Sequence, residues 1–171
     1  MAITLDAGSA FPTTEVSKLG GGTITLGQAD DWQLIIVYRG QHCPICKKYA
    51  KALEPMQSKF ADIGVSVALV SGDPEEKAQA FVDETGYTGA VGYDLSIADM
   101  QTLGLFVSDP RSPEETDRPF AEPGLYVVNA DGNVQMIDVS NAPFLRPDLE
   151  GVLNGIKFVR DKGYPIRGTH A

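Results

Sequence analysis

The chain has 171 residues, a formal net charge of −9 and 43% hydrophobic residues. That acidity argues against nucleic acid or an anionic membrane as partner, and the length and apolar content suit one domain, residues 1–171, with a substantial core. No apolar run reaches the length of a membrane span, and Met1–Asp6 lacks a basic segment followed by a hydrophobic stretch, so neither an anchor nor a signal peptide is expected.

Residues 1–22 read as an irregular lead-in ending in Gly20-Gly21-Gly22. Thr23–Leu26 alternates as a short strand, and a turn over Gln28–Asp31 leads to the apolar run Trp32–Tyr38. A run buried on both faces is expected of a central strand in an α/β sheet. A helix over Cys43–Phe60 follows, with Pro55 expected to kink or divide it. Val65–Val70 predicts the next buried strand. Asp73 as cap, Pro74 first and Gly86 as stop predict a helix to about Thr85. A short strand is expected within Tyr87–Tyr93 and a short helix over Ser96–Leu103. Residues 105–122, with three prolines, predict an exposed loop, a lid over the site being the functional alternative. Leu125–Asn129 and Val134–Asp138 flank an Asp-Gly turn and predict an antiparallel hairpin. A closing helix over Pro147–Lys162 carries acids early and bases late, with Gly163 as stop; the tail 164–171 has no assignment. Strands alternating with helices, then a hairpin and a last helix, describe an α/β fold: one mixed β-sheet with helices on both faces.

Both cysteines fall between the central strand and its helix, in Arg39-Gly40-Gln41-His42-Cys43-Pro44-Ile45-Cys46-Lys47. Cys43 is expected at the N-cap and Pro44 at the first helical position, where its missing N–H costs nothing. Free backbone N–H groups and the positive end of the helix favour a Cys43 thiolate, and Lys47, four residues on, adds a charge on the same helix face. Cys43 is accordingly expected to be partly exposed and to titrate below a free thiol. Three alternatives stand beside a dithiol redox pair: half of a zinc site, a structural disulfide and two inert core cysteines. A zinc site would have only His42 and His170 to complete it, and a disulfide closing so short a loop restrains the unfolded chain little. The strand-to-helix setting favours redox chemistry. His42 could serve as base or cation for Cys43, and Arg39 could hold an acidic substrate, or both could simply be solvated.

This order of elements around a Cys-x-x-Cys resembles the thioredoxin fold. The extended N-terminus, Ser71-Gly72-Asp73 and the hairpin Leu125–Asp138 are similar to the branch that holds peroxiredoxins, the alkyl hydroperoxide reductase/thiol-specific antioxidant (AhpC/TSA) family, over about residues 11–160. The resemblance implies a thioredoxin-like sheet with a peroxiredoxin-type N-terminal extension. The peroxiredoxin signature Pro-x-x-x-Thr-x-x-Cys falls on Arg39, Cys43 and Cys46, so only Cys46 matches. The Arg that the family places before the later strand falls on Pro123, and Arg118 is a candidate replacement. Loss of the Thr and Arg that bind peroxide should cost peroxidase rate. Thioredoxins place a cis-proline at this point beside their disulfide, which implies that role for Pro123. Thioredoxin's buried acid is matched by Val37 and the Trp before its first Cys by His42, while Pro44 stands where glutaredoxin-type sites have Pro.

The chain is therefore expected to be a thiol–disulfide oxidoreductase in which Cys43 attacks and Cys46 resolves, with Pro123 completing the site and Arg39, His42, Pro44 and Lys47 supporting it. The alternatives are a thiol-dependent peroxidase with Cys46 as the peroxidatic residue and Cys43 resolving, and a redox-inactive metal carrier using both cysteines and a His. The leading expectation needs no cofactor and no metal. Its partners are a protein or small-molecule thiol or disulfide, with hydroperoxide and a second copy of the chain as further candidates, and a cellular thiol reductant; nucleic acid and membrane are excluded. One Cys pair at redox spacing suits the cytoplasm.

Overall fold

A computed structural model describes residues 5–28 and 30–171. The turn expected over Gln28–Asp31 includes Ala29, which lies outside them, as do residues 1–4 of the N-terminal stretch. The strands are β1 (Thr14–Lys18), β2 (Thr23–Leu26), β3 (Trp32–Val37), β4 (Val65–Val70), β5 (Ala90–Tyr93), β6 (Val107–Ser108), β7 (Phe120–Ala121), β8 (Gly124–Val128) and β9 (Val134–Val139). The helices are α1 (Pro44–Leu53), α2 (Gln57–Asp62), α3 (Glu75–Thr85), α4 (Ile97–Thr102) and α5 (Leu149–Lys162). Seven strands form one mixed sheet in the order β2-β1-β5-β4-β3-β8-β9. The pairs β3–β4 and β4–β5 are parallel, and the remaining pairs antiparallel.

The central strand β3 shows why both faces must be covered. Leu34 and Ile36 point into a core shared with Phe60 of α2, Phe81 of α3 and Ile156 of α5. Ile35 and Val37 point the other way, into a core holding Phe11, Met100 of α4 and Tyr126. Strand side chains alternate with period two, so an unbroken apolar run is apolar on both faces and needs a layer on each. Both sulfurs belong to the first core, at the end of β3 where the chain turns into α1.

Helix boundaries follow from local chemistry. Pro55 breaks the long helical pattern into α1, a 3₁₀ turn at Glu54–Met56 and α2, since it has no N–H to donate to the preceding turn. Gly86 and Gly163 end α3 and α5 in the left-handed conformation. No helix among the described residues is long and apolar enough to cross a membrane.

Three local expectations are corrected. The lead-in contains β1, which pairs with β2 and β5. Thr14-Glu15-Val16-Ser17-Lys18 has a single apolar residue, so its strand comes from pairing rather than from pattern. Asp73 is not the cap of α3, whose N-cap is Pro74; its carboxylate instead accepts from the Gln41 N–H at 2.7 Å. Residues 105–122 are not a fully exposed loop: β6 and β7 form a small ribbon, and Thr116, Phe120, Ala121 and Glu122 are buried.

Candidate redox site

The site is built where β3 hands over to α1. Gly40 has φ +147°, outside the reach of most L-residues, and a Cβ there would stand 2.9 Å from Asp73 Oδ1 and 3.0 Å from His42 Nδ1. That turn, pinned by Asp73 at Gln41, delivers Cys43 to the N-cap of α1 with an N–H···O bond of 3.2 Å back to Gly40. Pro44 is the first residue of α1, as expected. The Cys46 N–H donates to Cys43 Sγ at 3.2 Å, so the sulfur fills the place of a capping oxygen. Both thiols are free.

Each sulfur has an arginine. Arg39 acts to lower the Cys43 thiol, and Arg146 donates from Nη2 to Cys46 Sγ at 2.8 Å. The Cys43 thiol is lowered from 9.0 to about 6. The main cause is a hydrogen bond from the Cys46 thiol; the Cys46 N–H, Arg39 and the charge of Arg146 add to it, against burial. Cys46 moves the other way, above an ordinary thiol, because it is buried and shares its proton with Cys43, while Arg146 opposes the rise. Of the two, Cys43 is thus the more acidic sulfur.

The supporting residues divide. Arg39 is not solvated: its Nε lies 2.9 Å from the buried Glu122 carboxylate, its Nη2 3.8 Å from Glu115, and its guanidinium packs 4.8 Å from the Phe120 ring centroid. The Glu122 contact is an ion pair without hydrogen-bond alignment. His42 lies edge-on to Phe120 at 4.6 Å, and burial, then Arg39, lowers it to about 4. It is neutral at pH 7 and not a cation for Cys43. Lys47 pairs with Glu84 of α3, so its charge is shared with a carboxylate. Cys43 is buried, at 1% exposure, rather than partly exposed, because it sits inside the core cluster.

Pro123 is also corrected: no cis peptide bond occurs among the described residues, so Glu122–Pro123 is trans. The backbone runs straight from β7 into β8, with Glu122 N–H bonded to Phe106 O and the Pro123 carbonyl accepting from Ser140 N–H. Trans is the intrinsically favoured isomer and nothing here opposes it. Pro123 lines a small pocket with Tyr49, Leu125, Arg146 and Pro147, so it lies on the Arg146 side of the site. Arg118 pairs with Asp117 and is not the substitute arginine.

A profile of the AhpC/TSA family matches residues 7–137, most of the chain. The chain belongs to the AhpC/TSA family. Among solved structures, a peroxiredoxin-like protein from Aquifex aeolicus aligns at TM-score 0.76 and 20% identity, covering 91% of this chain and 88% of that one. Mycobacterium tuberculosis AhpC aligns at 0.78 and 14%, covering 95% and 97%. The reduced 2-Cys peroxiredoxin of Plasmodium vivax aligns at 0.75 and 14%, covering 96% and 91%. These likenesses give the thioredoxin-like fold of peroxiredoxins. No curated protein sequence matches.

Within this AhpC/TSA chain the residue that sequence reasoning missed is Arg146. It sits 100 positions from Cys46 in a turn before α5, and only the signal of an arginine beside prolines at a helix entrance marks it. Among the described residues no group of three or more His, Cys, Asp or Glu side chains clusters for a metal.

Proposed function

We propose that this AhpC/TSA oxidoreductase, acting as a single domain, is a thiol–disulfide exchange enzyme in which Cys43 attacks and Cys46 resolves. The observation that carries the assignment is the place of Cys43 at the N-cap of α1, with its sulfur accepting from the helix backbone. Cys43, at the N-cap and accepting from the Cys46 N–H at 3.2 Å, is the acidic thiol, and Cys46 is the protonated one. The thiolate is the nucleophile. Cys43 attacks a substrate disulfide, one substrate sulfur leaves as thiolate, and Cys46 then attacks Cys43 Sγ. That step expels the second substrate thiolate and leaves a Cys43–Cys46 disulfide. Two electrons pass to the substrate, and a cellular thiol returns them. The same cycle run backward oxidises dithiols. The partners are protein or small-molecule thiols and disulfides, and a reducing compartment such as the cytoplasm keeps the pair cycling. No cis-proline takes part.

A second reading has its own support in Arg146, which donates to Cys46, the residue in the peroxiredoxin register. There a Cys46 thiolate attacks the peroxide O–O bond, water or an alcohol leaves, and Cys43 condenses with the sulfenic acid to release a second water. Peroxide turnover and disulfide reduction measured side by side on one preparation separate the two. Disulfide reduction is expected to dominate, and faster peroxide turnover that survives Cys43→Ser would overturn the assignment.

A further inference from the structure

Arg146 reaches Cys46 from a turn that Ser140, just past β9, holds on one side by donating from Oγ to Ala142 O at 3.1 Å and Leu145 O at 2.8 Å. Its neighbours Phe144 and Leu145 are 77% and 58% exposed. The guanidinium donates through Nε to Pro143 O at 2.9 Å, within its own turn, and through Nη2 to Cys46 Sγ at 2.8 Å. No carboxylate lies within ion-pair distance of it among the described residues, in contrast to Arg39. On the α1 side, next to the arginine itself, the tether is Tyr49. Its hydroxyl donates to Pro147 O at 2.6 Å, and its ring stands 5.2 Å from the Arg146 guanidinium carbon. Tyr49 is three residues beyond Cys46 on α1, on the adjacent turn of the same face, so one helix presents both the sulfur and the clamp on the arginine. Burial pushes the phenol well above its usual range, so it remains a donor at any working pH.

We propose that Tyr49 is a positioning residue that holds Arg146 against Cys46 and thereby sets the rate of disulfide closure, a role that rests on Cys43 as attacker and Cys46 as resolver. Before capture, Cys46 keeps its proton because the charge is on Cys43. Once Cys43 is bonded to a substrate sulfur, that charge is gone, and the next thiolate forms on Cys46, facing Arg146. The Cys46 proton passes to solvent. Cys46 then attacks Cys43 Sγ, the Cys43–substrate bond breaks, and the substrate sulfur leaves with the electron pair as a thiolate. A charge-assisted bond from Arg146 favours the attacking thiolate only if the turn is held in place.

The test uses an equimolar amount of 5,5′-dithiobis(2-nitrobenzoate) with the full-length reduced protein. The reagent releases one coloured thiolate on capture and a second on closure, so the two steps are read apart. Tyr49→Leu is expected to slow the second phase about tenfold and move its pH midpoint upward, with the first phase within about twofold of native. Tyr49→Phe, which keeps the ring and loses the hydroxyl, should fall between. Arg146→Gln should match Tyr49→Leu in the second phase, with the first phase also slowed because the Arg146 charge helps lower Cys43, and the double variant should close little more slowly. A second phase unchanged in rate and pH midpoint in Tyr49→Leu would overturn the proposal. So would equal slowing of both phases in Tyr49→Leu and Tyr49→Phe, the mark of packing damage alone. The underlying assignment is checked separately. Cys46→Ser must still release one thiolate from Cys43 and no second, its first phase slowed only as far as the weaker hydroxyl donor raises Cys43; a fast first phase in Cys43→Ser instead would refute the attacker assignment and the closure role with it.

Discussion

Cys43 is acidic chiefly because Cys46 donates to it, with Arg39 and the helix N-terminus in support. Two consequences follow at this scale. The rate of Cys43 alkylation by iodoacetamide should rise with pH to a plateau with its midpoint near 6. Cys46→Ala, which removes the thiol donor, should move that midpoint upward, whereas Cys46→Ser keeps a hydroxyl donor and should move it less. A midpoint near 9 in the native protein would contradict the arrangement. Arg39→Leu should also raise the midpoint, and it leaves the buried Glu122 without its cation, so it should destabilise the fold by about 3 kcal/mol in a denaturant titration. Equal stability would mean that Glu122 finds another partner.

The elements that matter are the Gly40 turn and the ribbon of β6 and β7. Gly40→Ala would force a side chain onto φ +147° and into Asp73 and His42. It should cost about 1–3 kcal/mol of stability by denaturant titration and slow capture at Cys43, whose N-cap position the turn sets. The segment leading to β7 is held by Lys77 to Asp117 and Thr116 and by Arg39 to Glu115. Phe120, at its end, packs on both Arg39 and His42. A substrate reaches the buried Cys43 only when neighbouring side chains move, and Phe120 stands against two residues of the Cys43 turn, Arg39 and His42. Phe120→Ala should therefore speed Cys43 alkylation severalfold, with thermal stability lowered; unchanged alkylation would place the opening elsewhere. The lid alternative for residues 105–122 rested on prolines and charges in the sequence. Its burial could not be read there, because Phe120 and Glu122 are hidden by partners some 80 positions earlier in the chain.

Across the whole molecule, the Cys43 charge is linked to stability. Its pKa is 9.0 unperturbed and about 6 when folded. A lowered value means that the unfolded chain binds the extra proton between these limits. Stability of the reduced protein relative to Cys43→Ser should accordingly rise from pH 6 to pH 9 by up to about 1.4 kcal/mol per pH unit, and be lost as pH falls through 6. A flat difference in denaturant titrations across that range would contradict it. The sheet, its helices and the cysteine turn were legible because β3 and β4 are apolar on both faces and because Pro44, Pro55, Gly86 and Gly163 act locally. β1 was not legible, having only Val16 to mark it. Within the site, Cys43, Cys46, Pro44 and Arg39 came from sequence. The cis bond at Pro123 is absent, because order of elements alone cannot fix an isomer, and the Glu84 partner of Lys47 lies on another helix, which local spacing cannot reveal. Arg146 was missed because a partner 100 residues away leaves no local pattern.

The central claim is that Cys43 is the attacking sulfur, and mass spectrometry of trapped mixed disulfides tests it most directly. Reduced Cys46→Ser and Cys43→Ser proteins are each mixed with a disulfide substrate at neutral pH, quenched with acid and digested. Rapid accumulation of one substrate adduct on Cys43 in Cys46→Ser, and little capture by Cys46 in Cys43→Ser, are the expected results. Rapid adduct formation on Cys46 with a slow or inert Cys43 would contradict the claim.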